Sequence, residues 1–572
     1  MNCSARVLTC LAVAALQGPS MAQSRWQPEV FPISYWVGPQ VDYNNLEAWQ
    51  TVKDCNFTVA GPACWSKRPA DLVAENRKML DLCGQMGLKA IVIDGRLAWT
   101  LPQEDNWKDK VAQVVADYGS HPALFGYFLQ DEPNLEQFEG LGALGEELQR
   151  EDPVHPPYIN LFPTYASVQQ LGTPTYADHL ERFLTTSRPL ILSYDHYCLM
   201  AGGVDKPDFF ENMELIREAG LRHNVPTWNI IQACSWTPAV RQPSDSEMRW
   251  QVYTSLAYGF KGILYFVYWS WNNDDYASAG IVDNTGKPGR LYPIVKQLNG
   301  EMLALGPTLL RCTSTGVFHT GPIPTGARRL SRDAILQVPS EVPLVIGFLR
   351  DDAGADYAFV VNRDHDQPVE FEATLMPHVV GVTEVSAADG QDKPLEMVKN
   401  RIKLSLAAGD GKLLRLQTRF AYPKPAEPAT TIDFRFDREN DMQGWQGMNS
   451  LAEPRWVDGA LQLTFTGQDP FMVRPMLRLN PDQYTKLRVR MKLPACNAEG
   501  QVFWTTSEEP GFADNKYLNF AVKPDGEWHE YEIPVGTHAK WRGQAIRGLR
   551  LDPTTGGAEP GTKVEIAWIK GE

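Results

Sequence analysis

"LFGYFLQDEPNLEQFEGLGALGEELQRE", residues 124–151, decides the fold. Its first six residues form an unbroken apolar and aromatic run, followed by Gln130, as expected of a strand buried on both faces. Asp131 and Glu132 close the run, Pro133 stops it, and an amphipathic helical pattern follows to Glu151. A strand followed by a helix is the repeating unit of a parallel sheet. Further apolar runs stand at 31–38, 55–61, 89–95, 158–163, 190–197, 227–233 and 262–269, separated by helical patterns, with a last helix at 292–306. Eight such units in about 250 residues predict an α/β fold, a (β/α)8 TIM barrel over 23–307. An open doubly wound sheet fits less well, because no glycine-rich phosphate fingerprint follows the first strand.

Beyond residue 308 the period changes to two. Stretches such as "DYAFVVNRD" and "QPVEFEATL" predict an antiparallel β domain over 308–420. "AYPKPAEPATT" (421–431) reads as a stiff Pro-rich linker, and 432–572 as a jelly-roll-like β-sandwich. The formal charge of −15 argues against nucleic acid as a partner. At the N-terminus, Arg6, the apolar stretch from Val7 to Leu16 and the small residues Ser20 and Ala22 predict a cleavable signal peptide over 1–22. The mature chain is therefore expected to be secreted or periplasmic, and no later run has the length of a membrane span. Of nine cysteines the signal holds Cys3 and Cys10, leaving seven. Cys55–Cys64 and Cys198–Cys234 are the expected disulfides in an oxidising compartment. Oligomeric state is not legible.

In this architecture reactive groups lie at the C-terminal strand ends. Those ends carry Trp36 on strand 1, Asp94 and Arg96 on strand 3, and Asp131 and Glu132 on strand 4. Strand 5 adds Asn160; strand 6 adds Tyr194, Asp195, His196 and Tyr197; strand 7 adds Asn229 and Gln232. Strand 8 ends with Trp269 and Trp271. Carboxylates, amides and aromatic faces suit the gripping of hydroxyl-rich rings and proton transfer, as glycoside hydrolysis needs. The strand ends offer no metal-ligand spacing, and the chemistry calls for no cofactor. "NNDD" (272–275) reads as a solvated turn rather than a calcium site.

"YGSHPALFGYFLQDEP" and "RWQVYTSLAYGFKGILYFVYW" resemble the acid/base strand and the last helix–strand unit of (β/α)8-barrel glycoside hydrolases, where strand 4 usually reads Asn-Glu-Pro. The resemblance covers about residues 31–307. It implies a secreted hydrolase of glycosidic bonds, acting on a polysaccharide or oligosaccharide, with Glu132 as general acid/base and Asp131 in place of the asparagine. It implies sugar-binding roles for Trp36, Asp94, Arg96, Tyr194, His196, Gln232, Trp269 and Trp271. The C-terminal sandwich resembles carbohydrate-binding modules, with Trp504 or Trp541 as exposed aromatics. The chain departs from the pattern at strand 7, where "TWNIIQACSW" has no glutamate to serve as nucleophile. Asp195 can supply the second carboxylate. Alternatively, the Asp131-Glu132 pair resembles that of substrate-assisted N-acetylhexosaminidases, or the barrel has become a non-catalytic glycan binder.

Independently of the resemblance, a glutamate beside an ionised aspartate in a half-desolvated mouth has its pKa raised, as a general acid requires. Each residue also has a plain structural use. Asp131 is a candidate helix cap, Asp94 and Arg96 a buried ion pair, Asp195 a partner of Arg96, and His196 an orienting hydrogen-bond donor.

Overall fold

The computed structural model describes residues 26–572 apart from 63, 68, 271–278, 332–333, 419–428, 439–440, 507–508, 510 and 514. The expected signal peptide, most of the expected linker, Trp271 and the 272–275 turn lie outside the described residues.

Eight parallel strands form one sheet: β1 (Ile33–Tyr35), β2 (Val59–Ala60), β3 (Lys89–Ile93), β4 (Leu124–Asp131), β5 (Pro157–Leu161), β6 (Leu192–Asp195), β7 (Thr227–Gln232) and β8 (Gly262–Phe266). Their order is β1-β8-β7-β6-β5-β4-β3-β2. Thr58 bridges the β1/β2 seam: its N–H donates to Ile33 O at 3.0 Å and its Oγ1 accepts the Ile33 N–H at 2.8 Å. Gly61 permits that approach, since a Cβ there would lie 1.6 Å from Tyr35 O. The helices are α1 (Leu46–Asp54), α2 (Leu72–Gln85), α3 (Trp107–Tyr118), α4 (Phe138–Glu151), α5 (Tyr176–Thr186), α6 (Phe209–His223), α7 (Asp245–Ala257) and α8 (Tyr292–Arg311). The chain is a TIM barrel followed by β domains.

Alternation along the strands separates two apolar layers. Ile91, Tyr158, Ile191, Trp228, Ile230 and Leu264 fill the barrel. Their neighbours Ala90, Val92, Ile159, Leu192, Tyr194 and Ile231 pack outward under the helices. Gly262 makes room for the Trp228 indole, which a Cβ would meet at 2.7 Å. Trp26 closes the lower end against Phe125 and Trp228, with ring centroids 5.7 and 6.4 Å away. α8 continues through Pro307 to Arg311, and the buried Lys261 ammonium donates to Leu309 O in its last turn and to Cys312 O just beyond its end.

Two antiparallel sheets follow over 312–418, and their strand Leu344–Asp351 rests on α7. A Cβ on Gly347 would lie 1.9 Å from Ala257 O, so only glycine allows this contact. The C-terminal region is a sandwich of two antiparallel sheets with a separate core. Trp504 and Trp541, expected as exposed platforms, are each 0% exposed in that core. Their indoles pack edge to face at 5.2 Å and their N–H groups donate to Lys540 O and Tyr484 O.

Neither expected disulfide forms; all seven described cysteines are free thiols. Cys55 ends α1, below β2, whereas Cys64 follows β2 near the mouth, so the strand holds them apart. Cys198 packs in the outer layer and Cys234 in the inner one, on opposite sides of the strand wall. Alkylation under denaturing, non-reducing conditions, read by mass spectrometry, is therefore expected to modify all seven. Reductant is expected to leave the melting temperature unchanged.

Candidate active site

β4 delivers two adjacent acids because the helix that follows does not need them. Asn134, not Asp131, caps the next turn: its Oδ1 accepts the Glu136 N–H at 3.0 Å, and Gln137 Oε1 accepts the Asn134 N–H at 2.7 Å. Asp131 is thereby free to stand in the mouth. Its Oδ1 accepts from Asn160 Nδ2 at 3.2 Å. Asn160 Oδ1 accepts in turn from Ser193 Oγ at 3.1 Å, which lies 2.9 Å from Tyr158 OH. This buried polar chain runs from the barrel interior and fixes one aspartate oxygen. Desolvation by the cleft walls raises the Asp131 pKa, although the side chain still reaches solvent, and the Asn160 amide partly offsets it.

Glu132 has φ +45°, a left-handed backbone that costs a non-glycine residue energy. Its N–H is held by Asn160 O at 2.8 Å, which keeps the turn in place. Desolvation and the Asp131 charge raise its pKa to about 7. Asp195, at the end of β6, is 6% exposed. Burial, then Glu132 and Asp131, push its pKa well above the ordinary value, while the Tyr197 hydroxyl acts in the opposite direction. Its Oδ1 is buried without a hydrogen-bond partner. Three carboxyls from β4 and β6 thus share one electrostatic environment, and their protons come off as a set rather than singly.

An aromatic wall surrounds them. Trp36 meets Phe128 edge-on at 5.5 Å, and Tyr197 packs between Trp236 at 4.8 Å and Phe266 at 4.9 Å. Tyr165 is 43% exposed, and Lys206 Nζ sits 3.1 Å from its ring centre. Sequence reasoning assigned no role to Asn160, Tyr197, Tyr165, Lys206 or Trp236. Asn160 and Tyr197 had a signal in their strand-end positions; the others arrive on loops with no period to mark them.

The remaining expected residues are placed elsewhere. Asp94 and Arg96 face α3: Arg96 grips Asp94 through two bonds of 3.0 and 2.7 Å and reaches Asp117 at 2.7 Å, while Tyr118 OH donates to Asp94 at 2.9 Å. Burial opposes the Asp94 charge, but these bonds hold its pKa below the usual value. Arg96 is therefore partnered by Asp94 and Asp117, not by Asp195. Tyr194 points outward into the layer beneath the helices, its ring 6.0 Å from Phe260. His196 is buried behind Tyr165, with Nε2 3.3 Å from Asp208 Oδ1. Trp269 is 2% exposed, lying against Tyr43 and Gly286.

Gln232 occupies the strand-7 position of the missing glutamate, and its amide is consumed by backbone. Oε1 accepts the Leu199 N–H at 3.0 Å, and Nε2 donates to Leu199 O at 3.2 Å and Arg241 O at 2.7 Å. It is 0% exposed and clamps two loops rather than facing the cleft. Among the described residues no group of three His, Cys, Asp or Glu is arranged to hold a metal ion, and no helix is long and apolar enough to cross a membrane.

No family model matches this chain, and no curated protein matches it. Among solved structures it is similar to a glycoside hydrolase family 5 protein from Bacteroides vulgatus, at 11% identity and TM-score 0.45, covering 68% of this chain and 89% of that one. It is also similar to a β-galactosidase from Marinomonas, at 11% identity and TM-score 0.39, covering 51% of this chain and 63% of that one. An isomalto-dextranase from Arthrobacter globiformis is similar at 10% identity and TM-score 0.40, over 94% of this chain and 96% of that one.

Proposed function

We propose that the protein is an exported glycoside hydrolase in which Glu132 is the general acid and Asp195 the second carboxylate. The observation that carries this reading is Glu132 itself. It stands at the end of β4 on a strained turn, beside two other carboxyls, with a pKa raised to about 7. A proton retained near neutrality is what a leaving glycosidic oxygen requires as its C–O bond breaks. Asp195 must be ionised to attack the anomeric carbon or to take a proton from water. The positive charge developing on the sugar ring favours that ionisation, as does the Tyr197 hydroxyl. The trio resembles a shared-proton carboxylate pair, in which one acid stays neutral because its neighbour is charged. Trp36, Phe128, Trp236 and Tyr165 provide apolar faces for sugar rings. Export rests on the N-terminal sequence; Trp26, which plugs the barrel floor, would survive cleavage after Ala22.

One observation favours a second reading. Asp131 is exposed in the mouth and oriented by Asn160, whereas Asp195 is nearly buried. Those properties suit an aspartate that orients an acetamido group on the substrate while Glu132 protonates the leaving oxygen. Two variants separate the readings, assayed on substrates with and without an N-acetyl group. If Asp195 is the partner, Asp195→Asn loses about 100-fold or more of kcat and Asp131→Asn loses less. Inhibition by an oxazoline mimic, with Asp131→Asn the more damaging change, would reject the Asp195 assignment.

A further inference from the structure

The C-terminal sandwich contains a cavity of about 290 Å³, lined by Arg478, Asn480, Asp482, Gln544 and Arg547 together with Leu479, Pro481, Gly543 and Ala545. It opens between the segment 478–482 and the loop 543–547, which meet through a bridge of Leu479 with Ile546. Its size is close to the lower end of small-ligand sites. Arg478 and Arg547 line it, one on each bounding segment, and among the described residues neither makes an ion pair. Other arginines of the sandwich are partnered by acids, Arg488 by Glu530 and Glu572 and Arg550 by Asp552 and Asp469.

The electrostatics point the same way. Partial burial and the charge of Arg478 lower the pKa of Arg547, the Glu181 carboxylate on α5 opposes them, and Arg222 at the end of α6 adds to the lowering. Glu181 on α5 is also engaged by His223 at 3.0 Å and Arg222 at 3.7 Å. Asp482 is the one acid in the lining, so the cavity and its border carry a net positive charge in a chain of formal charge −15. A cavity lined by two arginines and one acid, in an acidic protein, is a candidate site for an oxyanion, which guanidinium groups bind through paired hydrogen bonds. Asn480, whose Oδ1 accepts the Asp482 N–H at 3.1 Å, stands in the same lining.

We propose that this cavity binds an acidic sugar, its carboxylate or sulfate ester held between Arg478 and Arg547. The site lies in a different domain from the three carboxyls of the barrel mouth. It would retain an acidic glycan on the protein whether or not the barrel cleaves that glycan.

Calorimetric titration of the full chain carrying Glu132→Gln removes hydrolysis from the measurement, so failure here is distinct from failure of the catalytic reading. The probes are a galacturonic acid tetramer, its neutral galactose counterpart, a sulfated galactose tetramer and inorganic sulfate. An acidic tetramer is expected to bind at least tenfold more tightly than the neutral one, and more weakly as salt rises. The carboxylated and sulfated tetramers identify which oxyanion is preferred. Arg478→Ala with Arg547→Ala is expected to remove that tenfold preference without shifting the melting temperature, because both side chains are exposed. Equal binding of acidic and neutral tetramers, an unchanged preference in the double variant, or inorganic sulfate binding as tightly as the best tetramer would each overturn the proposal. Arg478→Lys with Arg547→Lys, which keeps the charge but loses the paired geometry, is expected to recover only part of the preference.

Discussion

Glu132→Gln is expected to reduce hydrolysis of a susceptible glycan by about 100- to 10,000-fold while glycan binding persists. The amide has nearly the same shape but cannot give up a proton to the leaving oxygen. The variant also reports on the cost of the site. The Glu132 pKa is raised in the folded protein to about 7 from an ordinary value of 4.5. The folded state therefore holds this proton where the unfolded chain has lost it, and stability falls as pH rises between those two values. Glu132→Gln removes that loss. It should melt higher than the unmutated protein at pH 8 and show no such advantage at pH 4. In the unmutated enzyme, kcat/KM should fall on the alkaline side with an apparent pKa near 7, because the acid must remain protonated. Wild-type protein that hydrolyses nothing on a broad glycan panel, yet binds glycan as the variant does, would identify a binder instead of an enzyme.

Gln232→Glu is expected to cost about 3–5 kcal/mol of stability and to confer no new activity. Simple restoration of the strand-7 glutamate would predict the reverse. The buried amide donates to two carbonyl oxygens, Leu199 O at 3.2 Å and Arg241 O at 2.7 Å. A carboxylate in its place would face both acceptors with only the Leu199 N–H to satisfy it. Denaturant titration and a retaining-hydrolysis assay at the same pH check both halves. A Gln232→Glu protein that folds as well as the parent and gains turnover would show that the clamp is dispensable and that the cleft is built for a strand-7 nucleophile.

Both expectations turn on what single side chains face, which strand periodicity constrains only in part. Continuous apolar runs alternating with amphipathic helices leave little choice but a parallel sheet wrapped by helices, and the strand count then requires a barrel. By placing Asp131, Glu132 and Asp195 at strand ends, that count also brought them to one mouth. The positions next to them were not legible in the same way. Tyr194 and Asp195 are neighbours in sequence, yet alternation turns the tyrosine to the helices and leaves the aspartate with the other carboxyls. Asp94 and Arg96 reached the right end of the barrel but turned to Asp117 and Tyr118 on α3, partners supplied by a different segment. Trp504 and Trp541 carried the composition of a sugar platform and instead became the core of the sandwich, Trp504 from a strand face and Trp541 from a turn that folds over it. The cysteine pairs failed for a related reason. Cys55 and Cys64 are close in sequence, but the strand between them sets them at different levels of the barrel.

The sequence by itself determined the barrel, the β domains behind it and the strand that carries the catalytic candidate, since hydrophobic period and strand count are properties of the chain. Only the tertiary structure decided that Asn134 relieves Asp131 of capping, that Asn160 and Ser193 hold it in the mouth, that Gln232 is a clamp, and that two arginines share a cavity in the sandwich. Each of these depends on groups from separate segments meeting at hydrogen-bond or charge–charge distance, and no local pattern records such a meeting.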